Sequence, residues 1–146
     1  MSYSLALWQG ITIVVFTAVK IENGHYEFVS TKQLSQALDI AVPTAVKILQ
    51  ALNKAGITET REGSKGGIRL AKKPEDITLL DVFHAIEQDR PLFRTEMPAT
   101  LADNPTAAKI GQATISALMQ SEQAMKESLK SATISDLIQS QKSRFT

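Results

Sequence analysis

Basic side chains around a glycine-rich turn are the residues of this sequence best suited to binding chemistry. The turn spans residues 63–67 and reads Gly-Ser-Lys-Gly-Gly, and short alternating segments typical of β-strands flank it. Guanidinium and ammonium groups on such a hairpin neutralise phosphate charge, which gives salt-dependent affinity more than base discrimination. The candidate phosphate-contacting residues of this hairpin are Arg61, Ser64, Lys65 and Arg69.

A second set of candidate residues lies on two helix signals just upstream, between residues 30 and 56. Ser30 or Thr31 can cap the first helix. Pro43 is tolerated in the first turn of the second helix, because a backbone N–H at that position would have no hydrogen-bond partner within the helix. In a helix-turn-helix motif, the second helix enters the major groove of DNA with its N-terminal half. The candidate DNA contacts on these two helices are Thr31, Lys32, Gln33, Thr44, Val46, Lys47 and Gln50.

Some of these candidates also have a plain structural interpretation. Thr31 is as well suited to capping its helix as to contacting phosphate, and Lys47 can simply be solvated. Val46 is apolar, so its suitable partner on DNA is a thymine methyl group. We favour DNA contact for Lys47 and, as a group, for the basic residues of the hairpin.

The elements that must position these residues form a mainly α fold with a small two-stranded β wing. We predict a winged helix-turn-helix with a long C-terminal dimerisation helix. The predicted division is a DNA-binding domain (1–88), a loop or linker (89–105), and a dimerisation helix followed by a short terminal helix (106–146). Two capping-box patterns, Thr78 with Asp81 and Thr133 with Asp136, predict helix starts.

Composition narrows the function further. The chain has 146 residues, 43% of them hydrophobic, and a formal net charge of +1, which supports one packed domain. The charge is uneven: residues 28–73 carry eight basic and three acidic groups, a net of +5, whereas residues 74–146 carry a net of −3. A basic segment on a mildly acidic chain is typical of a nucleic-acid-binding face.

The sequence lacks the residues for several kinds of catalytic or metal-binding site. The chain has no cysteine, which excludes disulfides and cysteine-ligated zinc or iron–sulfur sites. No nucleophile–base set, paired carboxylates or phosphate-binding loop can be named, since the wing glycines lack the strand–loop–helix context of a nucleotide fingerprint. We therefore predict a protein that is not an enzyme and holds no cofactor or metal.

The N-terminal segment, residues 5–21, is apolar enough to be mistaken for a membrane span. Gln9, Gly10, Thr12, Thr17 and Lys20 interrupt it, and it is shorter than the roughly 20 apolar residues that a span needs. No basic region precedes it, so a signal peptide is not expected either. We interpret it as a helix buried on most sides, packed on its own domain and on a partner subunit. We expect a cytoplasmic protein with no membrane partner.

A long amphipathic helix over residues 106–130 must bury its apolar band against another element. We predict that this element is the same helix of a second subunit, together with the first helix. The residues of the band are Ile110, Ala113, Ala117, Leu118, Met125 and Leu129.

Two features of the C-terminal half leave alternatives open. Phe93, Met97 and Leu101 in the loop either line an effector pocket or pin the loop to the dimer surface. His84 lies three residues from both Asp81 and Glu87, a spacing that suits a metal. A surface histidine is the default interpretation.

The order of elements and the residues of the segment 48–87 resemble the Rrf2 family of bacterial winged-helix transcription regulators. The matching residues are Ile48, Leu49, Leu52, Lys54, Ala55, Gly56, Gly63, Gly66, Gly67, Leu70, Ala71, Pro74, Ile77, Leu79, Asp81, Val82, Ala85, Ile86 and Glu87. The resemblance implies a homodimer on a palindromic operator. Sensor members hold an iron–sulfur cluster on three cysteines in the stretch that corresponds to 89–105, where this chain has none, so it resembles a cluster-free branch.

Residues and resemblance together predict a homodimeric, sequence-specific DNA-binding transcription regulator, acting as a repressor. A small molecule, a protein partner or simple abundance would then regulate it. The alternative is a winged-helix module that binds proteins and has no affinity for DNA; the concentration of positive charge around the motif argues against it.

Overall fold

The computed structural model describes residues 3–24, 27–88 and 90–144. It confirms a mainly helical protein with one two-stranded sheet. The elements in chain order are α1 (Tyr3–Glu22), α2 (Thr31–Leu38), α3 (Val42–Lys54), β1 (Thr58–Arg61), β2 (Gly67–Leu70), a 3-10 turn (Pro74–Asp76), α4 (Leu79–Glu87), α5 (Ala99–Ala102), α6 (Pro105–Lys130) and α7 (Ile134–Arg144).

Strands β1 and β2 form the wing. They pair antiparallel, with Glu59 opposite Arg69 and Arg61 opposite Gly67. Val29 adds one bridge to the outer edge of β2, exchanging two backbone hydrogen bonds of 2.8 Å with Ile68. A side chain at Gly67 would place its Cβ 2.3 Å from the Val29 carbonyl oxygen. The glycine at this position is therefore required by the close approach of two backbones.

Reciprocal capping boxes begin three of the helices. Both predicted pairs form: the Thr78 hydroxyl accepts from the Asp81 amide at 3.0 Å, and the Thr133 hydroxyl accepts from the Asp136 amide at 3.0 Å. At α2 the cap is Ser30, whose hydroxyl accepts from the Gln33 amide at 3.1 Å. Each box satisfies backbone amides that have no partner within the helix.

A single hydrophobic core joins the two ends of the chain. Ile13 and Val14 of α1 lie in one buried cluster with Leu52 of α3, Ile77 and Ile134. Helix α7 packs against α1 and against the 3-10 turn. Two backbone hydrogen bonds of 2.9 Å hold the start of α7 in place. The Leu79 amide donates to the Ala132 carbonyl, and the Ile134 amide donates to the Ile77 carbonyl. The terminal helix is therefore part of the core that supports the helix-turn-helix.

Helix α1 is buried on only one face within its own chain. Leu5–Glu22 is the one helical segment of the described ranges that is long and apolar enough to cross a membrane, and 28% of it is buried within the fold. Its inner face, including Val14 and Thr17, belongs to the core. Leu5 and Trp8 are 59% and 66% exposed. Within the described residues no other element covers these N-terminal turns, so their predicted burial against a partner subunit stays a prediction.

Helix α6 presents two different apolar faces instead of one band. Leu118, Met125 and Leu129 are half-buried against their own chain, whereas Ile110, Ala113 and Ala117 are exposed. No described residue of this 26-residue helix is fully buried. The predicted band is thus divided between an internal contact and a surface that this chain leaves uncovered.

Candidate nucleic-acid interface

Helix α3 presents one face to the core and the opposite face to solvent. Ala45, Ile48, Leu49 and Leu52 recur at helical spacing and are buried. The structure places every α3 candidate on the exposed face. Those residues are Thr44, Val46, Lys47 and Gln50.

The turn between α2 and α3 fixes the direction of the exposed face. Asp39 ends α2 in the left-handed conformation, with φ of 53°, and its amide donates to the Ser35 carbonyl. The Ser35 hydroxyl donates to the Ile40 carbonyl, and the Ile40 side chain is buried. These contacts anchor the turn, so α3 starts at a defined angle to α2.

The start of α2 combines capping with exposed polar groups. The Gln33 side-chain oxygen accepts from the Ser30 amide at 2.9 Å, so this oxygen serves the cap and the remaining NH2 group can only donate. Thr31 is half-buried in the first turn, and Lys32 is exposed. Free amides and cations at a helix start suit a phosphate group.

The arginines of the wing already have acidic partners. Strand alternation puts Glu59, Arg61 and Arg69 on the same outward face of the hairpin. Arg69 donates through Nε to a Glu59 carboxylate oxygen, and its Nη1 lies 3.7 Å from Glu27 Oε1. Arg61 Nη1 lies 4.0 Å from the same Glu27 oxygen. All four side chains are substantially exposed, so these pairs add little stability.

An aromatic ring completes this wing cluster. The guanidinium carbons of Arg61 and Arg69 lie 5.6 Å and 4.8 Å from the centroid of the Phe28 ring, within the range of cation–π contact. Sequence reasoning missed Glu27 and Phe28. The signal would have been the bridge between Val29 and Ile68, which brings the segment before α2 onto the wing.

The tip of the wing differs from its base. Ser64 and Lys65 are exposed in the turn, and within the described ranges no ion pair involves Lys65. The wing base is joined to α3, because Asn53 accepts a hydrogen bond from the Thr58 hydroxyl and donates one of 2.7 Å to the Thr60 hydroxyl. Helix α3 and the wing therefore form one connected surface.

The remaining candidates serve structural contacts. Asp81 is engaged in its capping box, and the buried Glu87 carboxylate pairs with Arg90 at 3.0 Å. The described residues contain no group of three or more potential metal ligands.

Met97 in the loop lies directly against Gly111 of α6, where a Cβ would come within 2.3 Å of the terminal methyl of Met97. This contact pins the loop to α6, and a cavity of about 450 Å³ remains beside it.

Two helices with an anchored turn, followed by a hairpin bonded to the second helix, define a winged helix-turn-helix protein. Residues 7–140 match the Rrf2 family of iron-dependent transcriptional regulators. The chain belongs to this family. The protein has no cysteine to hold a cluster, so its donor set does not fit the iron–sulfur chemistry of sensor members.

Several curated relatives are named HTH-type transcriptional regulators. The HTH-type transcriptional regulator NsrR of Bacillus licheniformis is 34% identical over 79 residues, covering 54% of this chain and 53% of that protein. Protein aau3 of Rhizobium meliloti is 32% identical over 106 residues, covering 73% of this chain and 67% of that protein. With NsrR the match spans about half the length of the relative.

Solved structures share the whole architecture. IscR of T. potens superposes with a TM-score of 0.70 at 20% identity, covering 96% of this chain and 88% of that chain. CymR, the global cysteine regulator of B. subtilis, gives 0.64 at 22% identity, covering 94% and 95%. At this identity the likeness establishes the fold.

Proposed function

We propose that this protein is a homodimeric, sequence-specific DNA-binding transcription regulator that acts as a repressor. The observation that carries the proposal is the exposed polar face of α3, joined through Asn53 to a wing with a cationic tip. Family membership supports the same conclusion. Such a regulator works in the cytoplasm, where its operator is.

In this proposal the N-terminal half of α3 enters the major groove. Val46 packs against a thymine methyl group, while Lys47 and Gln50 bind a base edge or a phosphate. Thr44 joins this face, and Thr31, Lys32 and Gln33 contact the backbone at the start of α2. The wing adds Ser64 and Lys65 at its tip and Arg61 and Arg69 at its base. Bound across a promoter, the protein excludes polymerase.

Dimerisation would cover the apolar surface that one chain leaves exposed. Ile110 is 64% exposed on α6, beside the small side chains of Ala113 and Ala117. Leu5 and Trp8 at the start of α1 add exposed apolar surface. Small residues let two helices approach closely, and a two-fold dimer matches a palindromic operator. An unidentified small molecule or protein would regulate the dimer.

One observation favours the alternative of a protein-binding module. Arg61 and Arg69 are paired with Glu27 and Glu59, so the wing base carries less available positive charge than its sequence indicates. This alternative predicts no affinity for duplex DNA even at low salt.

Footprinting on the DNA upstream of the protein's own gene tests the proposal. We expect protection of an inverted repeat, and the double variant Lys47→Glu, Lys65→Glu should lose it while keeping its helicity and oligomeric state. Lys109→Glu is the matched control, because Lys109 is an exposed lysine on α6. Unaltered binding by the double variant would show that the DNA-binding face lies elsewhere.

A further inference from the structure

A deep cleft lies beside the exposed face of α3. It has a volume of about 700 Å³ and is formed by α1, the outer edge of α3 and the C-terminal end of α4. Lys47, Ala51 and Lys54 of α3 form one wall, and Ala6 of α1 and Arg90 after α4 face them. This volume lies within the range of small-molecule sites, about 300–1,000 Å³.

Cations outnumber carboxylates among the described residues that line the cleft. The three cations are Lys47, Lys54 and Arg90, and the carboxylate is Glu87. The Glu87 side chain is only 3% exposed, and Arg90 is bound to it twice, through Nη2 to a carboxylate oxygen at 3.0 Å and through Nε to the backbone carbonyl at 3.1 Å. A buried carboxylate requires a partner, so Arg90 is held at the rim. Neither lysine forms an ion pair with another described residue of this cleft.

Ile86, Ala6 and Ala51 form an apolar floor in the cleft. Ile86 of α4 lies so close to Gly10 of α1 that a Cβ there would come within 3.2 Å of its side chain. Ala6 and Ala51 add short apolar side chains that leave the space open. The cleft therefore combines a cationic rim with an apolar floor.

We propose that this cleft binds a small organic anion, a molecule with a carboxylate, sulfonate or phosphate head and an apolar body. The head would lie between Lys47 and Lys54, and the body over Ala51 and Ile86. The regulatory part of the inference rests on the proposed function. Because Lys47 belongs both to the cleft and to the DNA-contacting face of α3, the anion and the DNA backbone would compete for it.

The binding part is tested on the full-length protein without DNA, with 8-anilinonaphthalene-1-sulfonate as the fluorescent probe. We expect saturable binding of one probe per protomer. Lys54→Gln should weaken it about three- to fivefold, the effect of one exposed charge, and Ala51→Phe should abolish it by filling the cleft. Lys73→Gln, an exposed lysine beyond the wing, should bind as the wild type does.

Equal probe affinity in the wild type, Lys54→Gln and Ala51→Phe would overturn the site. Thermal unfolding checks that Ala51→Phe folds. If that variant does not fold, the probe affinity of Lys54→Gln decides whether the probe binds in the cleft. Inorganic phosphate should displace the probe only weakly, since it lacks the apolar body. Displacement by phosphate at the affinity of the probe itself would contradict an apolar floor.

A second arm measures the anisotropy of a labelled operator duplex. The probe should displace the duplex from the wild type and fail to displace it from Ala51→Phe. Probe binding in the cleft with no effect on bound duplex would overturn the competition while supporting the site. A protein that takes up the probe but binds no duplex at all would overturn the proposed function and support the cleft.

Discussion

Single residues of the wing show how far charge on a sequence differs from charge on a surface. The cationic side chains of Arg61 and Arg69 predict phosphate contacts, and the structure places both on the outward face of the hairpin. Their neighbours Glu27 and Phe28 lie more than 30 positions away in the chain, so no local pattern could predict the pairing. The contacts of all the DNA-facing candidates remain predictions.

Glu27→Gln tests this pairing at the residue scale. Removing the carboxylate releases Arg61 and leaves Arg69 with Glu59 as its one remaining acidic partner among the described residues. We therefore expect duplex affinity to rise about two- to fivefold at low salt and to fall more steeply as salt is added. Glu75→Gln, an exposed carboxylate in the 3-10 turn, is the control for net charge. Anisotropy titrations at several salt concentrations measure the duplex affinity of each variant and how steeply that affinity falls with salt. Identical curves for the two variants would show that Glu27 does not restrain the arginines.

At the scale of elements, local chemistry predicted much of what formed. The capping boxes at Thr78 and Thr133 and the proline in the first turn of α3 act through contacts a few residues apart. Gly67 of the wing is different, because its required close approach is to Val29, far away in the chain. Helical periodicity also identified α6, but it could not tell which apolar side chains face their own chain. That division depends on the packing of α4 and the loop, which periodicity does not encode.

The cap of α4 offers a stability test. Thr78→Ala removes the hydroxyl that accepts from the Asp81 amide, and we expect the free energy of unfolding to fall by about 1 kcal/mol. Urea denaturation followed by circular dichroism measures it. Thr100→Ala, at an exposed position in α5, should change stability by less than about 0.5 kcal/mol. Equal losses in both variants would show that the cap contributes nothing specific.

At the scale of the whole molecule, the exposed apolar surface on α1 and α6 is what the proposed second subunit would cover. The sequence predicts that both helices need a partner, but helical periodicity does not tell which apolar residues stay exposed within one chain. Trp8, for example, is 66% exposed.

Ala117→Glu tests the proposed dimer. A carboxylate at this exposed position of α6 would be buried without a partner in a helix–helix interface, so we expect dissociation to monomers at micromolar concentration. Sedimentation velocity measures it. Gln139→Glu, on the exposed side of α7, should sediment as the wild type does. A wild-type protein that is monomeric at every concentration would refute the dimer itself.

The return of α7 to the core has a consequence for how the protein is made. Ile134 packs with Ile13, Val14 and Ile77 in one cluster, so contacts separated by about 120 positions complete the interior. On the ribosome, the helix-turn-helix cannot close its interior until Ile134 has left the exit tunnel, and domains generally fold as units during synthesis. A nascent chain stalled after Ala132 would expose an unfilled core and be a substrate for chaperones and proteases.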